Sequence, residues 1–214
     1  MSDIAHARSF RAIDVSNLPT SAWDTRAATW WGNTLLILIE TTSIAILLAT
    51  YWYLRRNFDQ WPPPRINYTP FRYDYAPDLF WGTLNLILIV GACVPQYICN
   101  TAARRLDKPK VIVWLSIMLV LAIVTSIIRF YEFPAMHFKW NENAYGSILW
   151  TLLGTHLLYL LGTGAEFFIM LLWVLTHRLD NKHALDITLA GIYWYWAAAV
   201  WIILYIVIYV QPRF

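Results

Sequence analysis

Five ionisable side chains lie inside apolar runs that are long enough to cross a membrane: Glu40, Arg129, Glu132, His156 and Glu166. Such groups are costly in an apolar environment, so they mark ion pairs, proton relays or ligand sites. Glu40 and Glu166 each lie about ten residues, or roughly 15 Å of helix, from the membrane face assigned below as the inner one. We therefore expect these two carboxyls to share a depth, with His156 close to mid-membrane.

Each group has a structural interpretation beside the functional one. Arg129 and Glu132 are three residues apart, so one helix would join them as an ion pair near its outer edge, where arginine can extend to the interface. His156 is expected to be a hydrogen-bonded interior histidine rather than a metal ligand. Glu40 is either a protonated carboxyl bonded to another span, with His156 and Glu166 as candidate partners, or a group linked to lipid, protons or carbodiimide reaction. The same two interpretations apply to Glu166.

Other residue patterns that carry chemistry are missing from the sequence. The remaining four histidines lie outside the apolar runs, which argues against a membrane haem or a copper cluster in this chain. Cys93 and Cys99 point to separate faces of one helix, so we expect no disulfide between them. There is no Ser/His/Asp set, phosphate-binding glycine loop or CxxC motif. A chain of this kind is expected to be a subunit of a larger complex, without a catalytic centre of its own.

The composition determines the fold class that positions these residues. Of the 214 residues, 59% are hydrophobic and only 14% are charged, against about 25% charged in soluble domains. The apolar excess must face lipid, which excludes a secreted or cytosolic domain. The net charge of +3 is small and its basic residues are scattered, so nucleic acid is not an expected partner.

Five apolar runs are each long enough to cross a ~30 Å hydrocarbon core as helices. They cover about residues 30–54, 79–103, 111–133, 146–176 and 187–210. The sequence therefore predicts an all-α polytopic membrane protein. Its predicted parts are an N-terminal cytoplasmic segment, residues 1–29, and a five-helix membrane domain, residues 30–214.

Basic residues predict the orientation. Of the 16 Lys and Arg residues, nine fall on the side of the N-terminus, six on the other side and one within a span. The excess of basic residues on the cytoplasmic side of membrane proteins places the N-terminus inside and the C-terminus outside. His177 and Arg178 follow the fourth run on the inner side, and we predict that they donate to lipid phosphates there.

The order of motifs in the second half of the chain resembles subunit III of the haem-copper respiratory oxidases. The matching elements there are Glu132-Phe133, Tyr145-Gly146-Ser147, Gly154-Thr155-His156, Gly162 and an aromatic last run from Tyr193 to Tyr209. The loop Trp61-Pro62-Pro63 and the position of Glu40 extend the resemblance to about residues 25–214. The chain departs from the family at Thr41-Thr42-Ser43, Tyr159, Tyr195 and Ala198, and has five spans, as in the shorter bacterial members.

The resemblance implies five helices in two groups around a lipid-filled cleft. It also implies a non-catalytic accessory subunit that packs on subunit I, together with subunit II, in the bacterial cytoplasmic membrane. Haem and copper are then expected in those partners, and phospholipid is expected to bind to this chain. The role implied for this chain is to support proton uptake and sustained oxygen reduction. The alternatives are a subunit III-like component of a nitric oxide reductase, and an independent proton-coupled transporter with Glu40, His156 and Glu166 as its relay. The sequence shows none of the inverted repeats typical of transporters.

Overall fold

The computed structural model describes residues 28–59, 61–63 and 77–213, and these are helical apart from short connections. The predicted N-terminal segment lies almost wholly outside the described residues. The helices are α1 (Ala28–Arg56), α2 (Leu79–Gly91), α3 (Cys93–Arg104), α4 (Lys108–Ala135), α5 (Ala144–Thr176) and α6 (Asn181–Tyr205). A π-helical turn, Ile206–Val210, and a 3-10 turn, Gln211–Arg213, follow α6. Five helical segments are long and apolar enough to span a membrane, which confirms the predicted class.

The second span consists of two helices, although its sequence is one apolar run. Helix α2 ends at Gly91 and α3 begins at Cys93, with Ala92 between them. Pro95 has no N–H to donate to the carbonyl of Gly91, and its ring crowds that carbonyl. Proline therefore interrupts the hydrogen bonding, while Leu79–Arg104 still serves as a single span.

Side-chain caps fix where three of the long helices begin. Asp107, Asn143 and Asp180 each accept a hydrogen bond from the backbone N–H three residues later. For Asp180, the donors are the backbone N–H and the ring of His183, and they lower the pKa of this carboxyl below its usual value. Each cap satisfies a backbone donor that the first helical turn leaves open.

Helix α1 packs on α5 and α6 along one narrow seam. Its seam positions recur at alternating spacings of three and four residues, and all are buried or half-buried: Trp30, Asn33, Ile37, Glu40, Ile44, Leu47, Tyr51 and Leu54. This is the spacing of helices that cross at a shallow angle. Because Glu40 lies on the seam, its carboxyl faces the bundle, whereas side chains such as Leu38 and Ile39 remain exposed.

The other four spans form one group, on which α1 packs. The second span, α4, α5 and α6 pack on one another, and α1 lies at their edge. Between α1 and the pair α5–α6 there is a groove at the end of the bundle where α5 ends and α6 begins. The arrangement of two helix groups around a lipid-filled cleft stays a prediction.

Candidate functional site

The centre of the four-span group holds a fully buried ion pair. Arg129 Nη1 donates to Glu132 Oε2 over 2.5 Å, and both side chains are 0% exposed. The guanidinium also lies over the indole of Trp201, with its carbon 3.6 Å from the ring centroid. The predicted pair therefore exists, but the expectation that Arg129 extends to the interface is wrong, because side chains of other helices enclose it.

Glu132 collects donors from three parts of the chain. Its carboxylate accepts from Arg129 on α4, from Asn85 Nδ2 on α2 at 2.6 Å and from the Tyr209 hydroxyl at 3.1 Å. Hydrogen bonds to an ionised acceptor are about twice as strong as neutral ones. This network, defined as Arg129, Glu132, Asn85, Tyr209 and His156, joins α2, α4, α5 and the turn after α6.

His156 is held in the network as a neutral ring. Its Nδ1 lies 2.9 Å from Arg129 Nη2, and because a guanidinium can only donate, Nδ1 must be the acceptor. Its Nε2 then carries the hydrogen and donates to the carbonyl of Ala197 at 3.1 Å. With both nitrogens engaged, His156 offers no open position to a metal. No group of three or more His, Cys, Asp or Glu side chains lies within metal-binding reach among the described residues.

Close packing places Tyr209 against the network. A Cβ on Gly82 would lie 2.4 Å from the Tyr209 ring, so only glycine allows this approach. The π-helical turn carries Tyr209, and one turn earlier Tyr205 shares a hydrogen bond of 2.7 Å with Thr83. The sequence pattern did not predict a site at Asn85, Gly82 or Tyr209, although an asparagine within an apolar run is a signal of a polar partner on another span.

Glu40 lies in a separate site, where α1 meets α5 and α6. The Tyr193 hydroxyl donates to Glu40 Oε2 in a short hydrogen bond, and the Tyr159 hydroxyl donates to the Glu40 carbonyl at 3.5 Å. Beside them, Trp196 Nε1 donates to Thr41 Oγ1 at 2.8 Å. The prediction that the partner of Glu40 comes from another span is confirmed. The candidates His156 and Glu166 are wrong, because the partner is Tyr193.

Glu166 lines the groove between α1, α5 and α6. The cavity there has a volume of about 500 Å³ and is lined by both apolar and polar side chains. Asp186, His183, Asn33 and Thr29 contribute the other polar side chains of the lining. Glu166 therefore shares an open site with Asp186, and neither Glu40 nor His156 belongs to it.

The predicted headgroup residues lie beside this groove. His177 and Arg178 are exposed at the end of α5. The ring of His177 stacks on Trp173, and its carbonyl accepts a hydrogen bond of 2.8 Å from Lys108 Nζ. At the end of a span, these two side chains are placed where a hydrogen-bond donor to a lipid phosphate would be needed. Lipid binding by them stays a prediction.

These observations define a class: a polytopic helical membrane protein with a buried ionic network in its core and a carboxyl at its helix seam. A family model described as cytochrome c oxidase subunit III matches residues 32–212. The chain belongs to this family, which confirms the resemblance seen in its motifs. It is accordingly a multi-pass accessory subunit of a multi-subunit oxidase of the respiratory chain.

Individual relatives are distant but are matched over most of their length. Cytochrome c oxidase subunit 3 of Thermostichus vulcanus is 23% identical over 192 residues, which are 86% of this chain and 87% of the relative. The subunit 3 of Bacillus sp. (strain PS3) is 25% identical over 182 residues, 80% of each chain. That of Spodoptera frugiperda is 28% identical over 149 residues, 70% of this chain and 97% of the relative.

Proposed function

We propose that this chain is a non-catalytic accessory subunit that packs on subunit I of an aerobic haem-copper oxidase, beside subunit II, and that those partners hold the haem and copper. The observation that carries the proposal is the engagement of both His156 nitrogens by Arg129 and Ala197. A membrane haem needs axial ligands within the spans, and His156, in the middle of α5, has no free ring nitrogen to offer. The chain serves in the bacterial cytoplasmic membrane, with its N-terminus inside and its C-terminus outside.

The subunit also binds phospholipid and supports proton uptake. The groove beside α1 has apolar side chains in its lining that suit acyl chains. His177 and Arg178, exposed at the end of α5, supply phosphate donors. Glu40 and Glu166 are the carboxyls that link the subunit to protons. Glu40 is the more distinctive of the two, because it is half-buried at a helix seam and bonded to Tyr193.

Purification in mild detergent through a tag on this chain tests the proposal. We expect a partner of the subunit I class, haem absorbance and cyanide-sensitive oxygen reduction in the tagged fraction. The chain separated from that complex should carry neither iron nor copper in stoichiometric amount. Recovery with a nitric oxide reductase, or as a haem-free protein that moves ions on its own, would contradict it.

Substitution of Glu40 by glutamine is expected to leave assembly and haem content unchanged, because the amide keeps the volume and an acceptor for the Tyr193 hydroxyl. It should abolish labelling of this position by an apolar carbodiimide, which reacts with protonated carboxyls within lipid. Proton pumping or turnover lifetime should change modestly. Labelling is measured by mass spectrometry of the purified complex.

The control for this variant is Thr42→Val on the same helix, where the hydroxyl is exposed and bonds only within α1. Thr42→Val should keep full labelling of Glu40. If Glu40→Gln removed the haems or stopped oxygen reduction, the accessory role of this carboxyl would be wrong.

Replacing His177 and Arg178 together by alanine is expected to lower the phospholipid retained per haem in the purified complex, since a lipid phosphate loses its donors. Quantitative lipid mass spectrometry measures this directly. Lys139→Ala, an exposed cation on the opposite side, is the matched control and should leave the retained lipid unchanged. If the wild type, the double variant and the Lys139→Ala control retained equal amounts of lipid, His177 and Arg178 would not form the proposed headgroup site.

A further inference from the structure

The groove between α1, α5 and α6 ends one helical turn short of Glu40. Counted from the end where α5 meets α6, the deepest lining residue of each helix is Leu36, Glu166 and Leu189. Glu40 follows Leu36 by four residues and Tyr193 follows Leu189 by four, so both lie about 6 Å further along their helices. The hydrogen-bonded pair of Tyr193 and Glu40 therefore lies just beyond the deep end of the groove.

Ionisable groups continue from the groove to this pair. The carboxyls of Asp186 and Glu166, which both line the groove, interact electrostatically. Glu166 also interacts electrostatically with Tyr193, whose hydroxyl donates to Glu40 Oε2. Each step of this row crosses from one helix to another, so the row is formed only when α1, α5 and α6 are packed together.

Tyr193 is the link between the groove and Glu40. Its side chain is buried, and it supplies the hydrogen bond to the Glu40 carboxyl. The nearby hydroxyls of Thr41 and Ser43 donate instead to carbonyls of α1 itself. A proton that reached Glu40 from the lipid side would have to cross hydrocarbon, which is costly for a charge.

We propose that Asp186, Glu166 and Tyr193 form a proton path from the mouth of the groove to Glu40. The inference rests on the proton-linked role proposed above for Glu40. When Glu40 is ionised, the Tyr193 hydroxyl passes its hydrogen to Oε2 and takes another on its oxygen from water in the groove, which Glu166 and Asp186 resupply from the aqueous side. One proton then reaches Glu40 and the hydroxyl is regenerated. Loss of the proton follows the same steps in reverse.

The lining of the groove suits water along this row. Its volume of about 500 Å³ gives room for several water molecules, which take about 30 Å³ each and need two to four polar partners. Besides the two carboxyls, Asn33 and Thr29 on α1 supply such partners. Acyl chains pack on the apolar side chains of the lining, because hydrocarbon against the carboxyls would be costly.

Cysteine accessibility tests whether the groove holds water. The assembled complex is prepared with Cys93→Ser and Cys99→Ala in this chain, and Leu36→Cys is added. This thiol should react with a water-soluble cationic methanethiosulfonate, and more slowly with an anionic one, because carboxyls line the groove. Leu38→Cys is the matched control, since it is exposed at nearly the same depth of α1 but outside the lining, and it should stay unlabelled. Mass spectrometry of this chain measures the labelling.

Exchange of the Glu40 carboxyl proton for deuterium tests the path itself. The infrared band of the protonated carboxyl is assigned by its loss in Glu40→Gln, and its shift is followed after the complex is moved from H₂O to D₂O. Tyr193→Phe should slow this shift by about tenfold or more, because it removes a positioned proton-transfer group. Glu166→Gln should slow it as well. Tyr159→Phe, which removes the hydroxyl at the Glu40 carbonyl, is the matched control and should keep the wild-type rate.

Three results would overturn the path. Leu36→Cys could be as unreactive as Leu38→Cys, which would show that lipid fills the groove. Exchange could keep its wild-type rate in Tyr193→Phe, or in Glu166→Gln where the tyrosine variant does not assemble. Tyr159→Phe could slow exchange as much as Tyr193→Phe. A missing Glu40 band would instead disprove the proton-linked role of Glu40 and the path with it. None of these measurements depends on oxygen reduction, so the accessory role is tested separately by the purification described above.

Discussion

Replacing Arg129 by methionine is expected to lower the free energy of unfolding of this chain by about 3–5 kcal/mol. The guanidinium is fully buried and binds both Glu132 and His156. Its removal leaves the Glu132 carboxylate charged in the core, with only the neutral donors of Asn85 and Tyr209. Equilibrium unfolding in mixed detergent micelles measures the loss, and the amount of assembled oxidase should fall with it.

Two further variants separate the ion pair from general packing. The double variant Arg129→Met/Glu132→Gln removes both charges but keeps an amide acceptor for Asn85 and Tyr209. Because a buried pair replaced as a whole is often nearly neutral, it should recover most of the lost stability. Arg178→Met makes the same exchange at an exposed position and should change stability by less than about 0.5 kcal/mol. A double variant as unstable as Arg129→Met would show that the unpaired charge is not the cause.

Substitution of Gly82 by alanine is expected to destabilise the chain by about 1–3 kcal/mol, the usual cost of overpacking. The added methyl would overlap the Tyr209 ring, and the ring can move only by withdrawing its hydroxyl from Glu132. The same unfolding assay measures this effect. Loss of the Tyr209 hydrogen bond should also appear in Tyr209→Phe, with a smaller destabilisation.

The matched control is Gly162→Ala, at a helical glycine whose added Cβ would meet nothing within 4 Å. This variant should be neutral or slightly stabilising, because alanine favours helix over glycine. If both alanine variants lowered the stability equally, the close approach of Tyr209 to Gly82 would not be the cause of the destabilisation.

The sequence was sufficient for the five spans, because lipid selects long apolar runs and the runs are visible directly. It was also sufficient to pair Arg129 with Glu132, since one helix turn separates them. It was not sufficient to predict that this ion pair is buried in the core, because the burial depends on Asn85, His156 and Tyr209 from other spans. Partners that are distant in the sequence produce no local spacing pattern from which they could be predicted.

The partner of Glu40 was mispredicted for a related reason. Depth along a span was estimated from residue counts, which give the height of a side chain but not the direction in which it points. The seam spacing of α1 would have shown that Glu40 faces the bundle, yet its partner Tyr193 lies on α6, the last of the five spans. Pro95 signals the break between α2 and α3, but a prediction of spans from hydropathy alone does not detect such a break.

Removal of this chain from the purified oxidase is the sharpest test of its non-catalytic, accessory role. We expect the remaining complex to keep its haem spectrum, its copper and an initial rate of oxygen reduction close to that of the intact enzyme. Its activity should then decline over fewer turnovers, and adding back the purified chain with phospholipid should restore the lifetime. Haem or copper leaving with this chain in stoichiometric amount, or an immediate loss of oxygen reduction, would show that the chain is not a non-catalytic accessory subunit.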